Sequence, residues 1–363
     1  MKTMKVFVVP SHQTLERTSG VDYVRVLSPM KYLNGYKDKD VKFEVDFYDI
    51  HAEKQQSWPE IAKKYDLIFL NYTVLDWQYA TMGACVHGEN KKIIMDLDDA
   101  IWYVSPDNIV HDKLQELNAD FILTCILNDV DGVVTTNRYL RNIIADKTTK
   151  SHENIKVMEN TIDLDHYTHR SKAKDTGLIT LMHYGSTSHF NDLLDKNFVE
   201  GVDMVMRQYP NVQFKTVGSF IAELKNKWSY RYINDFGDVD IYKWIHDKFP
   251  SFMDEADIMV VPLIDNKYNR AKSDIKYLEI ASAGKPGVFS NTRPYSDTII
   301  HGENGYLAES SQDWYTSLCE LIESKEKREA VGMKAYADIV DHRLVQHVIK
   351  DYADYFKRVV YNI

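Results

Sequence analysis

Short apolar runs recur along the chain, and longer segments with helical spacing of apolar residues separate them. In the first half, the runs occupy residues 5–10, 42–49, 66–72, 91–99 and 131–137. Each run has the length and the content of Val, Ile and Phe that buried strands prefer. Residues 110–127 follow helical spacing and predict one amphipathic helix. Strands separated by helix-length segments indicate a parallel sheet with helices on both faces.

The second half repeats this alternation. Its strand-like runs occupy residues 178–183, 213–220, 231–240 and 257–264. After Gly305 the pattern predicts helices to the end of the chain, and the apolar face of the last one consists of Tyr352, Tyr355, Phe356 and Val359. A chain of 363 residues is long enough for two domains of ordinary size. We therefore predict an α/β protein with two domains.

The stretch at residues 266–306 has the clearest chemical content. After the run 257–264 comes a polar, basic turn and then a helix with regularly spaced apolar positions. The first amides of a helix have no partner within it, and the helix dipole adds positive potential, so this terminus favours a phosphate. Arg270, Lys272 and Lys276 surround the spot. The competing interpretation is an ordinary αβ unit with a solvated basic face.

The same stretch carries a family resemblance. Its run K-S-x-x-K-x-L-E-x-x-x-x-G-x-P, followed by N-x-x-P-Y and G-x-N-G-Y, resembles the donor-binding region of GT-B-fold glycosyltransferases that use nucleotide sugars. The similarity is greatest to the retaining group 1, or family 4, enzymes in their phage or bacterial variants. In that family the second Glu of an E-x7-E pair holds the donor ribose, and Glu279 stands at its position. A carboxylate there accepts hydrogen bonds from both ribose hydroxyls. The first Glu of the pair is replaced by Ala271.

The resemblance implies a fold and a reaction. It implies two doubly wound Rossmann-like domains that face a cleft, with a nucleoside diphosphate sugar, a UDP-sugar favoured, as co-substrate and no other cofactor. It also implies transfer with retention of anomeric configuration and without a required metal. Lys272 and Arg270, with Ser273, would stabilise the leaving diphosphate, and Lys276 and Glu279 would bind the donor.

The resemblance also marks a domain boundary. Residues 159–163, E-N-x-I-D, resemble the N-G-I-D segment with which this family leaves its first domain, with Thr161 in place of the glycine. The next segment is polar, charged and without periodicity. We therefore predict an acceptor-side domain at 1–165, a nucleotide-sugar-binding domain at 176–345, and a C-terminal helix at 346–363 that packs back on the first domain.

Two loops that follow strands are further candidates for the donor site. The first strand leads to a polar loop with Gly20 and then Arg25, where α/β proteins open their ligand crevice. We predict that Gly20 approaches the donor phosphate and that Arg25 binds donor or acceptor. The G-S-T-S loop after the run 178–183 offers Gly185 and Ser186 to a phosphate, and it resembles the G-S-x-x-H opening of the second domain in bacterial and phage relatives. The alternatives are that Gly20 is a turn glycine, that Arg25 is a surface charge, and that the Ser and Thr residues of the G-S-T-S loop are helix caps.

Three acids, Asp96, Asp98 and Asp99, end the run 91–99. A D-x-D pair at a strand end holds a divalent metal in GT-A glycosyltransferases, and oxygen ligands suit such an ion. The basic helix terminus makes a metal unnecessary for the diphosphate, and we predict no metal site. We expect these acids to stabilise positive charge on the sugar carbon or to bind an acceptor hydroxyl, with Asp98 assigned to catalysis and Asp99 to the acceptor. A helix cap by Asp99 is the structural alternative.

Composition narrows the choice of partner and compartment. The formal charge is −10 and neither half of the chain is basic, which disfavours non-specific binding of nucleic acid. Cys85, Cys125 and Cys319 lack metal-ligand spacing and are predicted as buried free thiols of a reducing compartment. No apolar run has the length of a membrane span, and the start of the chain lacks the pattern of a signal peptide. We expect a cytoplasmic protein without integral membrane contact.

The combined prediction is a glycosyltransferase that moves a sugar from a nucleotide sugar to an acceptor hydroxyl. The acceptor is either a saccharide or glycan, or a hydroxymethylated pyrimidine in phage DNA, which would have to flip into the cleft. A basic stripe could contact DNA phosphates; it consists of Arg138, Arg141, Lys147 and Lys150. Two alternatives of another kind are a GT-B sugar-nucleotide epimerase and a non-catalytic nucleotide-binding α/β protein.

Overall fold

The structure is a computed structural model. It describes residues 1–11, 20–49, 56–72, 77–167, 177–185, 189–218, 220–235 and 251–363. These residues form two six-stranded sheets, one from each half of the chain, with helices on both faces of each sheet.

The first sheet is parallel throughout and has the strand order β2-β1-β3-β4-β5-β6. Its strands are β1 Lys2–Val9, β2 Val41–Phe47, β3 Leu67–Asn71, β4 Lys92–Leu97, β5 Gly132–Thr135 and β6 Ile155–Val157. Alternate residues of β1 pack on opposite sides of the sheet. Phe7 and Val9 belong to one apolar core, and Met4, Val6 and Val8 belong to the other. Burial on both faces explains why these strands are apolar runs in the sequence.

The second sheet is also parallel and has the order β12-β11-β10-β7-β8-β9. Its strands are β7 Ile179–Tyr184, β8 Val212–Val217, β9 Tyr232–Asp235, β10 Ile258–Val261, β11 Gly287–Ser290 and β12 Tyr306–Ala308. Two apolar cores again cover its faces, with Leu181 in one and Met182 in the other. The predicted α/β architecture of two doubly wound, Rossmann-like domains is therefore confirmed.

Helices connect the strands in the described parts of the chain. In the first half they are Gly20–Asp22, Ser28–Leu33, Trp58–Lys64, Trp77–Gly88, His111–Glu116, Ala119–Asp129 and Arg138–Lys147, with a π-helical turn at Tyr23–Leu27. In the second half they are Phe190–Leu193, Lys196–Gln208, Ala222–Trp228, Lys267–Arg270, Ile275–Ser282, Tyr295–Thr298, Ser311–Glu323, Lys325–His342 and Ile349–Tyr361. Among the residues described, no helix is both long enough and apolar enough to cross a membrane.

Two predicted elements differ in the structure. The single helix predicted at 110–127 is two helices, because Asn118 adopts a left-handed backbone with φ of 47° and interrupts it. Asn tolerates this conformation, and spacing alone does not reveal the break. The segment after Gly305 begins with strand β12 rather than a helix. That strand has only three residues, too few for a periodic pattern.

The C-terminal helix Ile349–Tyr361 packs on the first sheet. Tyr352 and Phe356 lie in the same apolar core as strands β1 to β3. Tyr355 reaches the backbone of β5: its hydroxyl accepts from the amide of Val133 at 3.0 Å and donates to the carbonyl of Asn154 at 2.7 Å. A Cβ at Gly132 would lie 2.5 Å from this hydroxyl, so the close approach of the helix requires glycine. The chain therefore crosses back to the first sheet after completing the second.

The Tyr355 hydroxyl predicts a stability effect. Tyr355→Phe removes the partner of a buried amide, which costs about 1 to 3 kcal/mol. Denaturant unfolding should show this loss, whereas Tyr361→Phe, a matched change on an exposed hydroxyl of the same helix, should change stability by less than about 0.5 kcal/mol. Equal stability of Tyr355→Phe and the parent protein would contradict the role of this hydroxyl in holding the helix.

Candidate functional site

The strand order predicts one ligand crevice in each sheet. In each sheet the order reverses beside the first strand, between β1 and β3 and between β7 and β10. Ligands of open α/β sheets bind outside the carboxyl ends of the strands at such reversals. The residues that follow β4 include Asp98 and Asp99, and those that follow β7 and β10 include Gly185 and the loop before Ile275.

The helix Ile275–Ser282 begins at this crevice. Its first internal hydrogen bond runs from Tyr277 N to Asp274 O at 2.8 Å, so the amides before Tyr277 have no partner within the helix. Asp274 occupies the N-cap, but its carboxylate is bound by the guanidinium of Arg343 at 2.8 and 2.9 Å and by the hydroxyl of Thr298. The acid is thereby neutralised, and the positive potential of the helix terminus is preserved.

Lys276 lies in this first turn and is nearly buried, with 8% of its surface exposed. Its ammonium donates to the carbonyl of Tyr184 at 2.7 Å and lies 4.1 Å from the centre of the Tyr184 ring. Burial lowers the pKa of Lys276 to about 8, against the opposing effect of Glu279. The residue is therefore a poorly solvated cation near neutral pH, which an anion would restore to full charge.

Gly185, Lys276 and two histidines meet at one point. A Cβ at Gly185 would lie 3.2 Å from Nε2 of His183, 3.2 Å from Cδ2 of His189 and 3.4 Å from Nζ of Lys276. The structure thus brings together the predicted donor-binding residues Gly185 and Lys276. Ser186, predicted beside them, lies outside the described residues.

His183 and His189 are site residues that the sequence analysis missed. Nδ1 of His183 faces the carbonyl of Val260 at 3.0 Å and must carry the proton, so Nε2 is an acceptor. Nε2 is buried and has no hydrogen-bond partner in the described part of the protein. Burial, with the charge of Lys276, holds the pKa of His183 well below its usual range. His189 is paired with Asp192 at 3.0 Å. The G-S-x-x-H pattern contained His189, whereas nothing in the pattern distinguished His183 from a core residue.

Glu279 lies one turn after Lys276 and is buried. The Tyr184 hydroxyl donates to one carboxylate oxygen at 2.5 Å, and the Tyr167 hydroxyl lies 3.5 Å from the other. Burial raises the pKa of Glu279, and Lys276 and the tyrosine hydroxyls oppose this effect. The carboxylate is therefore oriented before any ligand binds, with its longer, weaker contact on the Tyr167 side.

Asp99 and Lys272 face each other across the cleft. The ammonium of Lys272 lies 3.8 Å from Oδ1 of Asp99, and the Tyr268 hydroxyl donates to Oδ2 at 3.1 Å. Neither Asp98 nor Asp99 caps a helix, because the short helix Ile101–Tyr103 has Ala100 at its N-cap. Oδ1 of Asp98 is buried with no hydrogen-bond partner among the residues described. Burial, and then the charges of Asp99 and Asp96, hold the pKa of Asp98 well above its usual range.

Arg25 lies inside the first domain rather than at its surface. It is 2% exposed and binds both oxygens of Asp96, at 3.1 and 2.5 Å. Its remaining contacts are the carbonyl of Met158 and the amide oxygen of Asn160. The arrangement makes Arg25 a structural partner of Asp96, and its predicted contact with an acceptor stays a prediction. Gly20 begins a short helix, and a Cβ there would have open space.

Arg270 is bound by the neighbouring Asp265. Its guanidinium binds both carboxylate oxygens of Asp265 at 2.5 Å and is exposed. It lines a cavity of about 260 Å³ together with Lys272, Ser273 and Arg343. Arg270 thus shares this cavity with the predicted residues Lys272 and Ser273, whereas Lys276 is not among the residues that line it. A catalytic role for Arg270 would require its release from Asp265.

Side chains of the first domain hold the loop that carries Lys272 and Ser273. The amide nitrogen of Asn137 donates to the carbonyls of Ala271 and Lys272 at 2.8 and 3.1 Å, and Asn160 donates to the Ser273 hydroxyl at 2.7 Å. Asn137 also caps its own helix, because its side-chain oxygen accepts from the backbone amide of Leu140 at 2.9 Å. Ala271 is fully buried in an apolar core of the first sheet. A carboxylate at this position of the E-x7-E pattern would be desolvated in the present structure.

Other predictions from the sequence have mixed outcomes. Cys125 is exposed, and Cys85 and Cys319 are half-buried, so the predicted burial of all three thiols is wrong. Within the basic stripe, Lys150 donates to the carbonyl of Val130 and Lys147 lies over the ring of Tyr103. In the part of the chain that the structure describes, no group of three or more His, Cys, Asp or Glu side chains is arranged to hold a metal ion.

Residues 180–324 match the family model of group 1 glycosyl transferases. The chain is also 20% identical over 201 residues to the provisionally named teichuronic acid biosynthesis glycosyltransferase TuaH of Bacillus subtilis (strain 168), over 49% of this chain and 47% of that protein. The chain thus spans about half the length of this curated relative. Both likenesses support a glycosyltransferase.

Solved structures share the fold. HepE of Anabaena in complex with UDP-glucose has a TM-score of 0.65 at 14% identity, over 98% of this chain and 99% of that one. Sucrose-phosphate synthase from Thermosynechococcus elongatus has a TM-score of 0.65 at 12% identity, over 99% of both chains. A TarM variant of S. aureus in complex with Fondaparinux, alpha-GlcNAc-glycerol and UDP has a TM-score of 0.59 at 13% identity, over 80% of this chain and 55% of that one. At these identities the likeness shows the GT-B fold.

The raised pKa of Asp98 predicts a pH-dependent stability effect. The folded protein holds the Asp98 proton more tightly than the unfolded chain does. This proton therefore contributes its full stabilisation below the ordinary pKa of an Asp side chain, and the contribution is lost as pH rises through the raised pKa of the folded protein. Asp98→Asn resembles the protonated form and does not lose stability in this way. The melting temperature of the variant minus that of the parent should therefore increase from pH 5 to pH 8. The matched change Asp341→Asn, on an exposed acid, should give a constant difference, and a constant difference for Asp98→Asn would contradict the raised pKa.

Proposed function

We propose that this protein transfers a sugar from a UDP-sugar to a hydroxyl of a glycan acceptor. The family model over residues 180–324 and the glycosyltransferase relative support transfer chemistry. The structural likeness to HepE with UDP-glucose supports a uridine nucleotide as donor. TarM, which has the same fold, was solved with UDP and carbohydrate ligands, and this supports a glycan as acceptor.

The observation that carries the proposal is the cluster of Lys276, Gly185 and the N-terminus of the helix Ile275–Ser282. A diphosphate needs cations and N–H donors that are already oriented, and this cluster supplies both. Gly185 lets the backbone approach the phosphate closely, because a side chain there would occupy the space beside Lys276. Lys272 is within reach of the same cleft and pairs with Asp99 at 3.8 Å.

Glu279 is the proposed ribose ligand. It stands one helical turn after Lys276, so a nucleotide whose diphosphate binds at the helix terminus extends its ribose toward this carboxylate. The two ribose hydroxyls would replace the Tyr167 contact of 3.5 Å and compete with the Tyr184 hydroxyl. His183 offers the Nε2 lone pair as a further acceptor in the same crevice.

The proposed reaction exchanges one bond at the sugar carbon C1. The bond from C1 to the diphosphate oxygen breaks, and the electron pair leaves with UDP. The acceptor oxygen bonds to C1, and its proton passes to the carboxylate of Asp99, the acid proposed to face the acceptor hydroxyl. Lys276 and Lys272 would stabilise the charge that grows on the diphosphate, and Asp99, which pairs with Lys272 across the cleft, would stabilise the positive charge that develops on the sugar. We propose retention of configuration and no required metal, in keeping with the family resemblance.

Calorimetric titration with UDP at pH 7, with and without EDTA, tests the donor site. Lys276→Met and Lys272→Met each remove a cation and should weaken binding about tenfold or more, the usual value of a charged hydrogen bond. Glu279→Gln should weaken UDP binding several-fold. The carboxylate accepts hydrogen bonds from both ribose hydroxyls, whereas the amide has one uncharged oxygen and accepts more weakly. GDP and ADP should bind more weakly than UDP.

Lys334→Met, a change on an exposed lysine of the helix Lys325–His342, is the matched control and should leave UDP binding unchanged. Binding that EDTA abolishes, or that Lys276→Met leaves intact, would contradict the proposed site. Consumption of a UDP-sugar at equal rates with and without acceptor would instead favour an epimerase or hydrolase.

A further inference from the structure

A second cavity lies where the loop after the helix Ile101–Tyr103 meets the second domain. It measures about 450 Å³, within the range of small-molecule sites, and has walls from both domains. Asn108 contributes from the first domain, and Asn191, Asn266 and Asn269 contribute from the second. Asn191 also joins the two walls, because its amide donates to the carbonyl of Asp107 at 2.7 Å.

The chemistry of these walls favours an uncharged, hydroxyl-rich ligand. A carboxamide donates and accepts hydrogen bonds, as a sugar hydroxyl does, so the N–H groups and oxygens of these four amides that are not used inside the protein suit a carbohydrate. The described residues that line the cavity include two acids, Asp107 and Asp192, and neither Lys nor Arg. An anionic ligand, such as a uronic acid polymer or a nucleic acid, would meet these two carboxylates, and no cation among the described lining residues would compensate them.

The amides are held before any ligand binds. Asn269 donates to Oδ1 of Asp192 at 3.1 Å and to the carbonyl of Ile264 at 2.9 Å. Asn266 accepts from the backbone amide of Asn269 at 2.8 Å. Side chains with fixed orientation lose little entropy when a ligand binds, which raises affinity.

Two wall residues connect this cavity to the donor site. Tyr268 lines the cavity, donates to Asp99 and lies under the ammonium of Lys272. Asp192 lines it as well and pairs with His189 beside Gly185. A ligand in the cavity therefore lies next to the residues that face the reacting sugar.

We propose that this cavity is the acceptor subsite and that it binds an uncharged saccharide. The inference rests on the proposed glycosyltransferase function and adds the class of acceptor. One hydroxyl of the saccharide reaches past Tyr268 toward Asp99, while the amides hold the rest of the sugar.

The test uses the 363-residue chain saturated with UDP. It is applied to a glycan array of neutral and uronic-acid-containing oligosaccharides, with hydroxymethylated DNA as a third probe. Neutral oligosaccharides should bind, and their affinity should not change between low and high salt, because screening does not affect an uncharged ligand. Asn191→Ala should weaken their binding about five- to tenfold and leave UDP affinity unchanged. Asn197→Ala, a change on an exposed amide in the helix Lys196–Gln208, is the matched control and should have no effect.

Preferential binding of acidic glycans or of DNA would overturn the inference, as would neutral glycans whose affinity Asn191→Ala leaves intact. If UDP binds and no glycan binds, the acceptor inference is overturned as well, but the proposed donor site is still supported. Loss of UDP binding in the parent protein would instead contradict the proposed function itself. If Asn191→Ala unfolds the protein, its UDP binding will also be weaker. Ser105→Ala, a smaller change in the same wall, should then weaken the binding of neutral glycans and leave UDP binding unchanged.

Discussion

The bidentate contact between Arg343 and Asp274 is the interaction on which the candidate site depends. Asp274 stands at the N-cap of the helix Ile275–Ser282, where an uncompensated carboxylate would repel a diphosphate. Arg343 binds both of its oxygens and also donates to the carbonyl of Asn160, so one guanidinium joins the helix terminus to the segment that leaves the first domain. The backbone adds to this junction, because the amide of Ile162 donates to the carbonyl of Arg343 at 2.8 Å and the amide of Val345 donates to the carbonyl of Ile162 at 3.1 Å. Arg343 thus both neutralises the acid at the helix terminus and contacts the segment that leaves the first domain.

The first domain also contributes directly to the loop that precedes this helix. Asn137 holds the carbonyls of Ala271 and Lys272, and Ala271 is buried in the core of the first sheet. This arrangement fixes Lys272 opposite Asp99, so the cation and the acid that face the cleft come from different domains. Any separation of the domains would therefore change the electrostatics of the site.

The sequence predicted the two parallel sheets because strands buried on both faces are apolar runs, and the glycine and lysines of the crevice because they fall between a strand and a helix. It could not predict the role of His183. This histidine is a hydrogen-bond acceptor only because the carbonyl of Val260, on another strand, fixes its tautomer. It placed Arg270 in the site by its charge and did not reveal that Asp265 binds the guanidinium. It predicted that Arg25 binds donor or acceptor and did not reveal that the side chain is buried on Asp96, a residue far away in the chain. The burial of Arg25 and the tautomer of His183 are set by tertiary contacts rather than by local spacing.

The most direct measurement is a crystal structure of the protein with UDP. The account predicts diphosphate oxygens within about 3 Å of the Lys276 ammonium and of the backbone beside Gly185, with the ribose hydroxyls on Glu279 and no metal ion. A diphosphate bound through a divalent metal at Asp98 and Asp99, or located in the cavity between Asn108 and Asn191, would contradict it.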